Sequence, residues 1–99
     1  MNPRIVFAAL WLSAAAAAAH AADPHLARNL AATCANCHGT DGKSQGGMST
    51  LAGESEETLL HKLRAFRSGA QPATIMHHIA KGYTDQQLEL IAAYFARRQ

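Results

Sequence analysis

This chain of 99 residues has only two cysteines, which lie three positions apart, and a histidine directly follows the second. They form the stretch Cys34-Ala-Asn-Cys37-His38. On a helix, residues three apart share a face, with Cβ atoms about 5–6 Å from one another. Two thiols at that spacing suit a metal clamp, a redox-active dithiol or the covalent attachment of a prosthetic group. The rest of the sequence distinguishes between these chemistries.

Residues 1–21 are expected to be a secretory signal peptide and not part of the fold. A basic residue, Arg4, precedes an apolar run from Ile5 to Ala19, and Ala19-His20-Ala21 matches a small-residue cleavage site. The run is shorter than the roughly 20 residues that a helix needs to span a bilayer, which favours a cleaved leader over a retained anchor. We therefore expect export to the periplasm, one domain at residues 22–99, and no stable membrane insertion.

The pattern of apolar residues after the leader predicts an all-α domain. A first helix is expected to begin with Asp23 as N-cap and Pro24 as first helical residue, and to run into the cysteine motif. A second helix is expected from near Ser55, a short one after Pro72, and a final one after Thr84, where Thr-Asp-Gln-Gln is a capping-box sequence. No stretch alternates as a strand would, so we predict three main helices, one short helix and no sheet. The apolar residues at helical spacing are Leu26 and Leu30; Leu59, Leu63 and Phe66; Ile75, Met76 and Ile79; Leu88, Ile91 and Phe95.

The predicted domain is small enough to need a covalent cross-link or a bound cofactor for stability. The chain is 48% hydrophobic, but much of that fraction lies in the alanine-rich leader. Domains of fewer than about 80 residues usually add a disulfide, a metal or a bound cofactor to a limited apolar core. The formal net charge is +2, and the Lys and Arg residues are scattered, which argues against nucleic-acid binding.

Cys-x-x-Cys-His is the attachment signature of a c-type haem. In that interpretation Cys34 and Cys37 form thioethers with the two vinyl groups of one haem c, and His38 is the proximal ligand of its iron. A zinc site would need four ligands, normally in two separated pairs. A thioredoxin-like dithiol would lie beside a βαβ pattern, and a plain disulfide leaves the histidine unexplained. One covalent haem is therefore the favoured prediction.

The distal iron ligand is expected to be Met76. It follows one complete amphipathic helix after the motif, which gives the chain enough length to reach the opposite haem face. A methionine opposite a histidine raises the haem potential and closes the sixth coordination position. Met48, in the glycine-rich loop, is expected to be a surface or packing residue. A bis-histidine site that uses His77 or His78 remains an alternative.

Taken together, these segments resemble a known family. The segments "CANCHG", the glycine-rich stretch 39–53 and "TIMHHIAKGYTDQQLELIAAYFA" are similar to single-haem class I c-type cytochromes, most of all to the cytochrome subunits of flavocytochrome c sulfide dehydrogenases. The resemblance implies a class I cytochrome c-like fold, in which three main helices and one short helix wrap around one covalent haem. It also places the axial methionine at Met76.

The resemblance implies a function and partners as well. The protein would transfer single electrons, accept them from an FAD-containing sulfide dehydrogenase flavoprotein subunit and pass them to other cytochromes. It would have no catalytic site of its own and would act as a subunit of an oxidoreductase. Two alternatives remain open. One is a free soluble cytochrome that serves a terminal oxidase or another dehydrogenase, and the other is a ligand-binding or sensor haem protein.

The chain departs from the family pattern below the proximal histidine. Relatives usually carry a Pro-x-(Leu/Ile)-x-Gly turn there, whereas this chain has Ser49-Thr-Leu-Ala-Gly53. A carbonyl of this loop normally fixes the second ring nitrogen of the proximal histidine, because outer hydrogen bonds orient metal-binding imidazoles. The replacement of proline by Ser49 therefore raises the question of how firmly this loop holds His38.

Overall fold

The computed structural model describes residues 23–99, so the predicted leader and its cleavage site lie outside the described residues. Within this range the chain contains no strand and forms four α-helices and one short 3-10 turn. The helices are α1 (Leu26–His38), α2 (Glu56–Ser68), α3 (Met76–Ala80) and α4 (Asp85–Ala96), and the turn is Thr40–Gly42. The prediction of an all-α fold with three main helices and one short helix is confirmed.

Local sequence signals define the ends of α2 and the start of α4. The Ser55 hydroxyl accepts a hydrogen bond from the Thr58 N–H at 3.1 Å, and Gly69 ends α2 in the left-handed conformation with φ of 84°. At α4 the Thr84 hydroxyl accepts from the Gln87 N–H at 3.2 Å, and the Gln87 side chain accepts from the Thr84 N–H at 2.9 Å. The predicted capping box is therefore present.

The start of α1 differs from the prediction. The helix begins at Leu26, and its N-cap residue is His25, whose side chain makes no capping hydrogen bond. Asp23 accepts a hydrogen bond from the His25 N–H at 2.9 Å, and the Asp23 carbonyl accepts from the Leu26 N–H at 3.3 Å. Asp23 thus forms a separate turn that includes Pro24, and this turn delays the helix by two residues relative to the expected start at Pro24.

Helix α4 forms the centre of the fold because it packs against both α1 and α2, whereas α3 packs against α2. Burial of apolar side chains along these contacts supplies the hydrophobic stabilisation of the domain. Leu88 and Phe95 of α4 are almost completely buried. The core is small, as expected from the sequence. Its buried members are Ala31, Leu59, Leu88, Ile91, Ala92 and Phe95.

Within residues 23–99, three large apolar side chains are exposed to solvent. Leu26 is 42% exposed, Met48 is 55% exposed and Ile75 is 56% exposed. Met48 was expected at the surface or in packing, and the structure places it at the surface. Leu26 is the first residue of α1, and Ile75 precedes the first turn of α3, so neither lies along the packed length of its helix.

Ion pairs also join α2 to α4. Arg64 contacts both Asp85 and Glu89, at 3.4 and 3.3 Å, and Arg67 contacts Asp85 at 2.5 Å. The hydrogen bond from Arg67 and the nearby charge of Arg64 hold the pKa of the Asp85 carboxyl below its usual range. The two arginines therefore act as cross-helix partners on the surface of the domain.

Candidate haem site

The two cysteines lie in the last turns of α1, and neither is bonded to the other. Cys34 is half-buried against the core, whereas Cys37 is exposed. Burial raises the pKa of the Cys34 thiol, which keeps that group protonated at neutral pH. The structure therefore presents two free thiols near the end of one helix, and the plain disulfide is not the arrangement that it contains.

His38 is the last residue of α1, and its ring is held by the backbone. Nδ1 lies 2.6 Å from the carbonyl oxygen of Ser49. Because a carbonyl can only accept, Nδ1 is the ring nitrogen that donates, which leaves Nε2 as the nitrogen that can bind a metal. This is the tautomer that a metal-binding imidazole needs. The Ser49 side chain plays no part in the contact, so the loss of proline at this position leaves the carbonyl in place.

Two glycines allow the chain to reverse directly after the motif. Gly39 has φ of 91°, and a Cβ there would lie 2.0 Å from the carbonyl oxygen of Lys43. Gly42 has φ of 78°, and its Cβ would lie 2.7 Å from Cδ1 of Phe95. The Gly42 carbonyl also accepts hydrogen bonds from the N–H groups of Leu51 and Ala52, at 2.8 and 3.1 Å. Nothing in the sequence distinguishes Gly42 from the other glycines of this loop except its position three residues after Gly39.

Met76 is half-buried at the first position of α3. Helix α3 packs on α2, whereas α1, which carries the cysteines, packs on α4. The two predicted iron ligands, His38 and Met76, thus belong to helices that pack on different partners. The role of Met76 as the distal ligand stays a prediction.

His77 and His78 stack on each other with ring centroids 3.9 Å apart. The Nδ1 atom of His77 is buried and has no hydrogen-bond partner among the described residues. Burial and the nearby charges of His78 and Lys81 lower the pKa of His77, so this imidazole is neutral at physiological pH. In residues 23–99 no three His, Cys, Asp or Glu side chains form a cluster that could hold a metal ion.

These residues fit a covalently attached haem. Two free thiols precede an imidazole whose Nδ1 is already engaged by a carbonyl and whose Nε2 is the nitrogen left for a metal. The apolar core of the polypeptide is small, as expected of a domain that also packs around a large, flat apolar group.

None of the helices described between residues 23 and 99 has the length and apolar character to cross a bilayer.

An all-helical domain with this pair of thiols and this imidazole defines an electron-transfer haem protein of the c type. The chain belongs to the cytochrome c family, whose model matches residues 25–98. Family membership establishes a covalently bound haem c as the cofactor, and confirms the class that the sequence predicts.

Several known proteins are similar to this chain. The cytochrome subunit of sulfide dehydrogenase from Chlorobaculum tepidum is 42% identical over 66 residues, which cover 67% of this chain and 60% of that protein. Cytochrome c4 from Pseudomonas aeruginosa is 34% identical over 100 residues, covering 100% of this chain and 50% of the relative. A thiosulfate dehydrogenase electron acceptor from Stutzerimonas stutzeri is 37% identical over 67 residues, covering 64% of this chain and 31% of the relative. This chain thus spans about a third to three fifths of the length of these three relatives.

Proposed function

We propose that this protein is a periplasmic single-haem electron carrier in which Cys34 and Cys37 form the two thioethers. His38 is the proximal iron ligand through Nε2, and Met76 is the distal ligand. The bound haem supplies one-electron chemistry between ferrous and ferric iron. The polypeptide holds and orients the ligands, and surrounds them with apolar side chains. Residues 1–21 are removed during export, and residues 22–99 form the mature domain.

The contact between His38 and Ser49 carries this proposal. The distance of 2.6 Å from Nδ1 to the carbonyl oxygen indicates a hydrogen bond that fixes both the tautomer and the plane of the ring. Because the ring cannot rotate freely, Nε2 points in a fixed direction relative to the two cysteines, which lie on the same helix. A histidine held in this way is poised to bind a metal, and a solvated surface histidine would have no need of such a bond.

Two observations support Met76 over Met48 as the distal ligand. Met76 is half-buried, and it begins a helix that packs on α2. Met48 is 55% exposed and lies in the same loop as Ser49, on the side that already holds His38. A distal ligand must approach from the opposite face of the porphyrin, which a residue beside the proximal contact cannot do.

We further propose that the physiological donor is an FAD-containing flavoprotein that oxidises sulfide, and that other cytochromes accept the electrons. The similarity to the cytochrome subunit of sulfide dehydrogenase from Chlorobaculum tepidum supports this partner. The relative from Stutzerimonas stutzeri is named as a thiosulfate dehydrogenase electron acceptor, which supports the same direction of electron flow, from a dehydrogenase to the cytochrome. Catalysis then belongs to the flavoprotein, and this chain serves as the haem subunit of the oxidoreductase.

The ligand assignment is tested on protein that is co-expressed with cytochrome c maturation machinery. The mass of the mature protein should equal the chain plus one haem, and the ferric protein should show the weak far-red band of methionine-ligated iron. Met76→Ala should abolish that band, whereas Met48→Ala, the matched control, should retain it. Persistence of the band in Met76→Ala would refute the distal assignment, and a colourless protein with free thiols would refute the haem site.

The partner assignment needs a separate measurement. A flavoprotein subunit encoded beside this chain is purified with it, and sulfide-dependent haem reduction is followed in a stopped-flow spectrophotometer. Co-elution together with fast, saturable reduction would support a permanent subunit. Reduction without co-elution would support the free carrier. Tight binding of carbon monoxide by the reduced native protein would instead favour a ligand-binding or sensor role.

A further inference from the structure

Arg98, two residues beyond the end of α4, contacts the turn that follows the cysteine motif. Its guanidinium carbon lies 4.0 Å from the centroid of the Tyr94 ring, and its Nε lies 3.5 Å from the carboxylate of Asp41. The Tyr94 hydroxyl is 3.5 Å from the same carboxylate oxygen. We call these three side chains, Asp41, Tyr94 and Arg98, the Arg98 clasp. The clasp joins the end of α4 to the turn at Thr40–Gly42.

Arg98 contacts Asp41 as an ion pair and not through a hydrogen bond. Its Nε atom is buried and has no hydrogen-bond partner among the described residues, although Asp41 lies within ion-pair distance. The side chains of Arg98 and Asp41 are 36% and 56% exposed, so the pair lies at the surface and is weakened by salt. Asp41 also has φ of 57°, a left-handed conformation that is uncommon for residues other than glycine. A backbone in that conformation has to be held by its surroundings, and the clasp supplies the contact.

The backbone of Arg98 reaches the other end of the same loop. Its carbonyl accepts a hydrogen bond from the Gly53 N–H at 2.9 Å. Residues 43–50 form a loop between Asp41 and Gly53. The side chain of Arg98 contacts Asp41 before this loop, and the main chain of Arg98 contacts Gly53 after it. Ser49, whose carbonyl accepts from His38 Nδ1, lies inside this loop. One residue therefore closes the loop that holds the ring of His38.

We propose that Arg98 is a positioning residue for His38. The clasp keeps the loop closed on the turn at Thr40–Gly42, and the closed loop keeps the Ser49 carbonyl on Nδ1. The inference rests on the proposed role of His38 as the proximal ligand. A stronger bond from Nδ1–H to a carbonyl makes the imidazole a better electron donor to its metal. Loosening the clasp therefore weakens that donation and raises the reduction potential of the haem.

The test compares Arg98→Ala with Arg97→Ala in the reduced holoprotein. Arg97 is the matched control because it is adjacent, exposed, equally charged and without an ion pair to any described residue. Exchange of the His38 Nδ1 proton with solvent is measured by NMR, together with exchange of the Leu63 amide in α2. Loss of one exposed ion pair and of the cation–π contact with Tyr94 should speed the Nδ1 exchange roughly 3- to 10-fold in Arg98→Ala. Arg97→Ala should leave both rates unchanged.

Two further variants separate charge from packing. Asp41→Asn removes the charge but keeps a residue that tolerates the left-handed conformation, so it should reproduce the effect of Arg98→Ala. Arg98→Lys keeps the charge without the planar stack on Tyr94, so it should recover part of the wild-type rate. In Arg98→Ala the reduction potential should rise relative to Arg97→Ala, which removes the same charge from the neighbouring position.

The outcomes distinguish this inference from the proposed function. Equal acceleration of the His38 and Leu63 protons in Arg98→Ala would indicate a general loss of stability and would overturn the positioning role. An Nδ1 rate no faster than that of Arg97→Ala would overturn it as well. The absorption spectrum and mass of the wild-type holoprotein report on haem attachment and ligation by themselves. Failure there would reject the proposed function whatever the exchange rates show.

Discussion

The Gly42 backbone lies directly against the Phe95 ring, so close that a Cβ on Gly42 would stand 2.7 Å from Cδ1 of that ring. Phe95 is buried near the end of α4, and Gly42 is the last residue of the turn after the cysteine motif. The contact fixes the distance between the helix and the turn. It also brings the Gly42 carbonyl to the N–H groups of Leu51 and Ala52, which return the loop toward His38.

We expect Gly42→Ala to destabilise the holoprotein strongly. The new Cβ meets both a buried ring and the backbone nitrogen of Ala52 at 3.0 Å, and the positive φ disfavours any side chain. Overpacking of this kind costs about 1–3 kcal/mol, to which the backbone strain adds. Thermal melts of the haem-containing protein provide the measurement. Gly46→Ala is the control, because nothing lies within 4 Å of the position that its Cβ would occupy; an equal loss in both variants would contradict the argument.

Ser49→Pro should stabilise the protein without changing its haem spectrum. The contact with His38 uses only the Ser49 carbonyl, which proline keeps, and the Ser49 N–H donates no hydrogen bond within residues 23–99. Proline at a compatible position stabilises by about 0.4–1 kcal/mol because it restricts the unfolded chain. Denaturant melts compare this variant with Ser49→Ala, which should stay close to the wild type. A shifted spectrum in Ser49→Pro would mean that the loop relies on more than its carbonyl.

Thr84→Ala should lower stability by about 0.5–2 kcal/mol through loss of the N-cap of α4. The Thr84 hydroxyl satisfies the Gln87 N–H, and the Gln87 side chain satisfies the Thr84 N–H in return. Thr84→Ser keeps both bonds and is therefore the control, with a stability near that of the wild type. The free energy of unfolding in urea distinguishes them. Equal losses in the two variants would show that the methyl group of threonine, and not its hydroxyl, carries the effect.

Asp85 makes the stability of the domain depend on pH in acid. Because Arg67 and Arg64 depress the pKa of this carboxyl in the folded state, the ionised form binds its partners more strongly than the protonated form does. The stabilisation is therefore present above the ordinary carboxyl pKa near pH 4, and is lost as the pH falls through the lower folded value. The melting temperature of Asp85→Asn should fall less steeply in that acid range than that of the wild type. Glu56→Gln, which alters an acid without an ion pair to any described residue, should follow the wild-type slope.

Removal of both haem anchors should leave a poorly folded chain. Few apolar side chains are fully buried in the described domain, and small domains seldom fold on so limited a core. Cys34→Ala/Cys37→Ala is therefore expected to give a broad, weakly cooperative melt in circular dichroism, in contrast to the sharp melt of the holoprotein. A cooperative, native-like transition in the double variant would show that the polypeptide alone specifies the fold.

The sequence predicted best those features that depend on neighbouring residues. Helix α4 starts after Thr84 and α2 ends at Gly69, because a capping box and a left-handed glycine act over a few positions. The same kind of local signal also misled the prediction at Asp23. That residue can cap either a helix or a tight turn, and here it forms the turn.

Features that join distant parts of the chain could not be read from the sequence. Gly42 against Phe95, and Asp41 against Arg98, meet only because α4 returns to the motif. Nothing in the spacing of either pair indicates that contact. The Cys-x-x-Cys-His motif was enough to single out Cys34, Cys37 and His38 as candidate site residues. Their roles, like that of Met76, stay predictions until the holoprotein is tested.

The His38 contact has a consequence for the order of assembly. The two cysteines are near neighbours in the chain, so they can present their thiols while the polypeptide is still extended. The Ser49 carbonyl, in contrast, lies in a loop whose residues Leu51 and Ala52 bond to Gly42, and Gly42 packs on Phe95. The final geometry of the His38 contact therefore depends in part on a closure that spans more than half of the described domain and carries a corresponding entropic cost. On the proposed haem assignment, covalent attachment needs only the local motif, whereas the final orientation of the His38 ring depends on a long-range contact with the last helix.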